Sequence, residues 1–330
     1  MPLTRSLART TLRFGSLTPL LIALALPAGA DTRSAAVLST ASVGGETISC
    51  GCQKKELGGI SRRASMIREV RAAHPNSILV DAGDFGSPGE FKHWMRTDFQ
   101  WQMMEKLGYD VVTPGPNEMR AGLEALKGLT DGSPIQVVSA NITDKAGNLI
   151  WPDHALIERG GVTFGVTGVT DQAFYTYNLT RGTQERDEFA FRNLKESLEA
   201  VLPGLRARSD VVVLLLHTGY GDARRLLDEV SGIDVVVIGH APVYKFSPDR
   251  QGGALVVQSG MRGQYLSCLQ LSLDEAGRIE DYRGEARPLG DTVALDPEYD
   301  RLIKAFNQKY DKLKAAAGIE AKAEPDDQKP

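Results

Sequence analysis

The chain has 330 residues, is 42% hydrophobic and 24% charged, and carries a formal net charge of −4. That length and apolar fraction suit a soluble globular domain of enzyme size with one core. Mild acidity, without a basic stripe interleaved with aromatics, argues against nucleic-acid binding.

At the N-terminus Arg5, Arg9 and Arg13 precede the apolar run Leu17 to Leu26, which ends in Pro27-Ala28-Gly29-Ala30. This is the layout of a secretory signal peptide cleaved after Ala30. The run is shorter than the roughly 20 apolar residues a membrane-spanning helix needs, so no membrane anchor is expected after cleavage, and the expected destination is the periplasm. Behind it, β-like runs alternate with amphipathic stretches, which predicts a layered α/β fold. Helices are predicted near Ser61 to Ala73, Phe91 to Leu107, Ala121 to Leu129, Asn193 to Ala207 and Asp222 to Val230. In the first, Ile60, Ala64, Ile67 and Val70 share one face. Arg62 and Arg63 read as its solvated start, with the alternative that one of them meets an anionic substrate, and His154 as a loop residue after Pro152. Asp296 to Ala317 reads as a charged helix. The expected organisation is therefore a signal peptide (1–30), one domain (31–295), a C-terminal helix (296–317) and a tail (318–330) too polar to bury.

Four apolar runs close on short polar tips: Asp81-Ala82-Gly83-Asp84, Gly115-Pro116-Asn117-Glu118, His217-Thr218-Gly219 and Gly239-His240-Ala241-Pro242. Carboxylate, amide and imidazole groups are thus placed at strand ends, where open α/β sheets bind their ligands. Asp81 reads as a support for its own loop. Of the three cysteines, Cys268 lies in an alternating strand pattern and reads as a small buried apolar residue. The other two form Ser49-Cys50-Gly51-Cys52-Gln53. Thiols so spaced can bind a soft metal, cycle to a tight disulfide or act as nucleophiles, and Lys54 and Lys55 would favour the thiolate.

From about Ala36 to Asp274 these tips resemble the calcineurin-like metallophosphoesterases, more closely the catalytic domain of the 5'-nucleotidase family. The Cys-Gly-Cys loop is similar to one in a divergent secreted branch. Supporting matches are Gly58-Gly59-Ile60-Ser61-Arg62-Arg63, Ser139-Ala140-Asn141-Ile142, Gly165-Val166-Thr167-Gly168, Gly232-Ile233-Asp234 and Gln258-Ser259-Gly260. The resemblance implies a single-domain α/β fold, a layered metallophosphoesterase-like β-sandwich flanked by helices (α/β/β/α). It also implies paired cations that clamp phosphoryl oxygens and activate water.

On this resemblance Asp84 takes the place of the carboxylate that bridges the cations, and His217 and His240 match two imidazole ligands. Asn117 has two readings. Position by position it stands where the family has its catalytic His, with Pro116 at the ligand Asn; with a one-residue slip Asn117 is the ligand. In either reading the catalytic imidazole is missing, because an Asn is no general acid at neutral pH. The family's Asp-x-His aligns with Ser42-Val43-Gly44 and its final His with Pro242. What remains suits one divalent cation at Asp84, Asn117, His217 and His240, of the Zn, Fe or Mn class. The residues expected to take part in chemistry are Asn117, Cys50 and Cys52.

Family members usually carry a second large domain that holds the nucleoside, and no length is left for one here, so phosphoester chemistry is expected without a defined nucleotide substrate. The reading is a secreted metal-dependent phosphoric ester hydrolase with a degenerate dinuclear site, acting on a small phosphorylated or other anionic substrate. Two alternatives stand beside it: a redox or metal-handling protein using Cys50 and Cys52, and a non-catalytic binding module.

Overall fold

The computed structural model describes residues 33–49, 56–88, 92–180, 188–240 and 245–319. The first half of the chain forms β1 (Arg33–Thr40), α1 (Ile60–Ala73), β2 (Ser77–Asp81), α2 (His93–Leu107), β3 (Val111–Val112), α3 (Pro116–Met119), α4 (Leu123–Thr130), β4 (Gln136–Val137), β5 (Ile142–Thr143) and β6 (His154–Arg159). The middle holds β7 (Val162–Thr170), α5 (Gln172–Thr180), β8 (Ala190–Phe191), α6 (Leu194–Arg206), β9 (Val211–His217), α7 (Tyr220–Glu229) and β10 (Val235–Gly239). Then follow β11 (Asp249–Gln251), β12 (Ala254–Val257), β13 (Tyr265–Leu273), β14 (Ile279–Pro288) and α8 (Pro297–Ala316).

Two six-stranded sheets result, one in the order β14-β13-β1-β2-β3-β4 and the other β11-β12-β10-β9-β7-β6. The pairs among β1 to β4 are parallel, as are β12 to β10, β10 to β9 and β9 to β7. Antiparallel strands complete both sheets. Strand alternation explains the layering. Val37, Ile78, Val80 and Val111 of the first sheet share one core with Val213, Leu215, Val237 and Val257 of the second, so the two sheets face each other. The opposite face of the first sheet, Leu38, Leu79 and Val112, packs with Ile60, Val70, Met104 and Ile303 from α1, α2 and α8. Likewise Val212, Leu214 and Val236 meet Leu198, Leu205 and Leu227 from α6 and α7. The order helix, sheet, sheet, helix is the one expected. Both faces of the central strands are covered, which is why they read as unbroken apolar runs.

Helix α8 is less separate than its charge suggests. Asp296 caps it by accepting from the Glu298 and Tyr299 N–H groups, and Phe306 stacks on Phe99 of α2 with ring centroids 4.1 Å apart. His154 opens β6 rather than lying in a loop. Among the described residues no helix is long and apolar enough to cross a membrane.

Register fixes where the polar tips fall. Thr40 lies opposite Asp81 and Asp81 opposite Val112. In the second sheet His217 lies opposite both Gly239 and Thr170. Parallel strands end at a common edge, so the tips of both sheets open on the same side of the sandwich.

Candidate metal centre

At that edge Asp84, His217 and His240 converge. Asp84 Oδ2 lies 3.4 Å from His217 Nε2 and 3.3 Å from His240 Nδ1. One ligand atom from each residue falls within 4.8 Å of the others. His217 is fully buried and Asp84 nearly so, while 31% of the His240 side chain remains exposed.

Whether a cation fits here is decided by His217. Its Nδ1 donates to the Ala82 carbonyl at 2.7 Å, which leaves Nε2 carrying the lone pair of a neutral ring. That atom is buried and has no hydrogen-bond partner. It faces a carboxylate oxygen, lone pair against lone pair, an arrangement that is costly unless a proton or a cation lies between them. The surroundings favour positive charge. Burial disfavours an imidazolium at His217, yet the Asp84 carboxylate outweighs it and raises the pKa. Burial also opposes ionisation of Asp84, yet the two imidazoles hold that carboxyl below its usual range. Two nitrogen donors and one oxygen donor suit a borderline divalent cation such as Zn, Fe or Mn.

Asn117 sits beside this group, one residue into α3. Pro116 opens that helix, where its missing N–H costs nothing. The Asn117 N–H donates to Asp84 Oδ1 at 2.9 Å, and its Nδ2 donates to the Gly86 carbonyl at 3.2 Å. Its Oδ1 is thereby left as the amide's acceptor atom. Pro116 is buried and has no donor to offer, so Asn117 is the residue of this tip that engages the Asp84 loop.

Glu118 is the residue that sequence reasoning undervalued. It is wholly buried. Oε2 accepts from the Asp84 and Gly115 N–H groups at 3.1 and 2.7 Å, and Oε1 accepts from Gly86. One carboxylate thus ties the Asp84 loop to the start of α3. Burial, reinforced by the Asp84 carboxylate, pushes its pKa up to about 8. The available clue was spacing: Glu118 stands three positions after the helix-opening Gly115, where its carboxylate can reach back to that residue's N–H as the acidic half of a capping box does.

Beneath the tips runs a second buried chain. Arg63 donates to the Tyr109 hydroxyl at 3.4 Å, Tyr109 and Thr40 hydroxyls lie 2.8 Å apart, and Thr40 donates to Asp81 Oδ2 at 2.5 Å. Asp81 Oδ1 accepts the Gly83 N–H at 2.9 Å, which braces the turn leading to Asp84. This corrects the expectation for Arg63, which is 0% exposed rather than solvated. Its partners descend from other elements, and no helical periodicity reports them.

Asp81 gives a pH signature. Burial outweighs its hydrogen bonds and lifts its pKa from 3.8 to about 7. Between those values the folded protein holds a proton that the unfolded chain releases. Stability from this group is therefore present below pH 3.8 and lost as pH rises through about 7, by no more than about 4 kcal/mol. With a chelator present, thermal denaturation should show wild-type stability falling between pH 5 and 8 and a shallower fall for Asp81→Asn. Equal slopes would remove Asp81 as the source.

The loop after β1 carries the residues aligned with Asp-x-His. Ser42, Gly44 and Gly45 donate their N–H groups to the carbonyls of Gly83, Asp84 and Phe85, all at 2.8 Å. The two loops are thus zipped together. Cys50, Cys52 and Pro242 lie outside the described residues. Cys268 is buried and unpaired, and burial pushes its thiol pKa up.

No protein-family model matches the chain. It is 27% identical over 266 residues to a snake venom 5'-nucleotidase of Naja atra, covering 73% of this chain and 49% of that one. It spans about half the length of the curated relatives it matches. Among solved structures it superposes on the calcineurin-like phosphoesterase YfkN of Bacillus subtilis with a TM-score of 0.72 at 22% identity, covering 86% of this chain and 99% of that one. For a 5'-nucleotidase precursor of Thermus thermophilus the TM-score is 0.73 at 23% identity, with 85% and 59% covered. The chain therefore has the calcineurin-like phosphoesterase fold, and its homologues are 5'-nucleotidases.

Proposed function

We propose that this chain is a metal-dependent phosphoric ester hydrolase of the 5'-nucleotidase type that works with one divalent cation, held by Asp84, His217 and His240 and completed by Asn117. The observation supporting this is the buried, unpartnered His217 Nε2 aimed at the Asp84 carboxylate. When bound, the cation supplies a Lewis acid for a phosphoryl oxygen and acidifies a water. Asp84 and His217, held by the backbone bonds described above, keep their donor atoms fixed without help from solvent. Ser42 and Gly44 offer no carboxylate or imidazole for a second cation, so the site is degenerate with respect to the family pattern.

The missing catalytic imidazole has a chemical consequence. With Asn117 read as the ligand and both Glu118 oxygens engaged by backbone N–H groups, this tip carries no imidazole to protonate a leaving alkoxide. Esters with acidic leaving groups should therefore be hydrolysed faster than alkyl phosphates. The test is hydrolysis of p-nitrophenyl phosphate beside a nucleoside 5'-monophosphate, before and after chelation. Turnover that disappears with chelator and returns with Zn or Mn, and is absent from His217→Ala, is expected. Turnover indifferent to both would overturn the proposal.

Secretion belongs to the same reading, because the Arg-rich start, apolar run and Ala28-Gly29-Ala30 form a cleavable leader. Mass spectrometry of exported protein should find Asp31 as the first residue. An intact segment 1–30 would contradict it.

A further inference from the structure

Among the three clustered donors His240 is the weakly secured one. It is the most exposed, and its backbone has φ 53°, a left-handed conformation that L residues rarely adopt. Such strain persists only where the surroundings enforce it. Of the five described non-glycine residues with positive φ, Ser42, Asp84, His240 and Arg262 are joined in one hydrogen-bonded patch. The Arg262 N–H donates to the Ser42 carbonyl at 2.7 Å and the Ser42 N–H to the Gly83 carbonyl at 2.8 Å. From this anchored position Ser42 Oγ accepts the His240 N–H at 2.9 Å.

The ring of His240 is held from the other side. Phe174 packs on it with centroids 3.9 Å apart and planes tilted by 41°. Phe174 is not placed by chance contact. Asp171, at the start of its helix, takes the Thr218 hydroxyl on Oδ2 at 2.8 Å and donates its N–H to the His217 carbonyl at 2.9 Å. The Phe174 N–H returns to the Asp171 carbonyl at 3.3 Å. The segment that carries one imidazole thus also fixes the aromatic ring that packs on the other.

We propose that Ser42 and Phe174 are positioning residues of the cation site, holding His240 by its backbone and by its ring respectively. This rests on the reading of the cluster as a cation site. Ser42 stands where the family pattern has a ligand. Here it acts through His240 instead.

The test measures affinity for Zn2+ alone, by competition with a chromophoric chelator, on the full mature chain. Ser42→Gly removes the hydroxyl yet suits the left-handed backbone, and Phe174→Leu removes the aromatic face. Each should weaken Zn2+ binding roughly tenfold, the scale for partners that orient a ligand, with little change in the melting temperature of the metal-free protein. Phe174→Tyr should restore wild-type affinity. In a His240→Ala background neither substitution should weaken binding further, because the group through which both act is gone. A wild-type protein that binds Zn2+ with variants that bind equally well, or whose losses persist in His240→Ala, overturns this inference alone. A wild-type protein that binds no Zn2+ overturns the cation site and this inference with it.

Discussion

Replacing His217 by alanine is expected to remove tight cation binding while leaving a folded protein. His217 supplies the donor with no other partner, and its loss deletes a ligand rather than an orienting group. The fall in affinity should therefore exceed the roughly 100-fold that loss of an outer-shell partner can cost. Folding should survive, because His217 closes β9 at the sheet edge, and in the metal-free state its removal costs the contact with Asp84 rather than core packing. The Ala82 carbonyl also loses a hydrogen bond. Metal content and circular dichroism measured together would show this. Unchanged metal content would mean that the cluster is not the binding site.

Glu118→Ala should act in the opposite way, through stability. Three buried backbone N–H groups, those of Asp84, Gly86 and Gly115, converge on this one carboxylate. Leaving a buried donor unsatisfied costs about 1–3 kcal/mol, so a loss on the order of 3 kcal/mol or more is expected even if the loops partly relax. The loops holding Asp84 and Asn117 would be freed together, and metal affinity should fall along with the melting temperature. Glu118→Gln should be intermediate, since its amide oxygen retains part of the acceptor role while its NH2 meets a donor. A Glu118→Ala protein as stable as wild type would refute the bracing role.

These residues also show what sequence could and could not convey. The sandwich was legible because strands such as Val211–His217 and Val235–Gly239 are covered on both faces and appear as continuous apolar runs. The tips were legible because a polar group closing such a run has few reasons to be there. Asp84, His217 and His240 were accordingly singled out, and the structure places them close together. Helix α3 was not anticipated, since four residues are too few to show a period. Arg63 was misjudged because its partner Tyr109 lies 46 residues away. Phe174 left no mark at all, because it lies on α5 and its contact is with His240, which arrives from the end of β10. Local pattern reports which side chains face a core. It does not report which loops meet.

The converging tips are expected to hold one cation, where the family pattern holds two. Elemental analysis of the purified mature protein, loaded with excess Zn2+ or Mn2+ and then freed of unbound metal, tests it directly. One equivalent per chain in wild type, falling to none in His217→Ala, is the predicted result; two equivalents, none, or one that survives His217→Ala would contradict it.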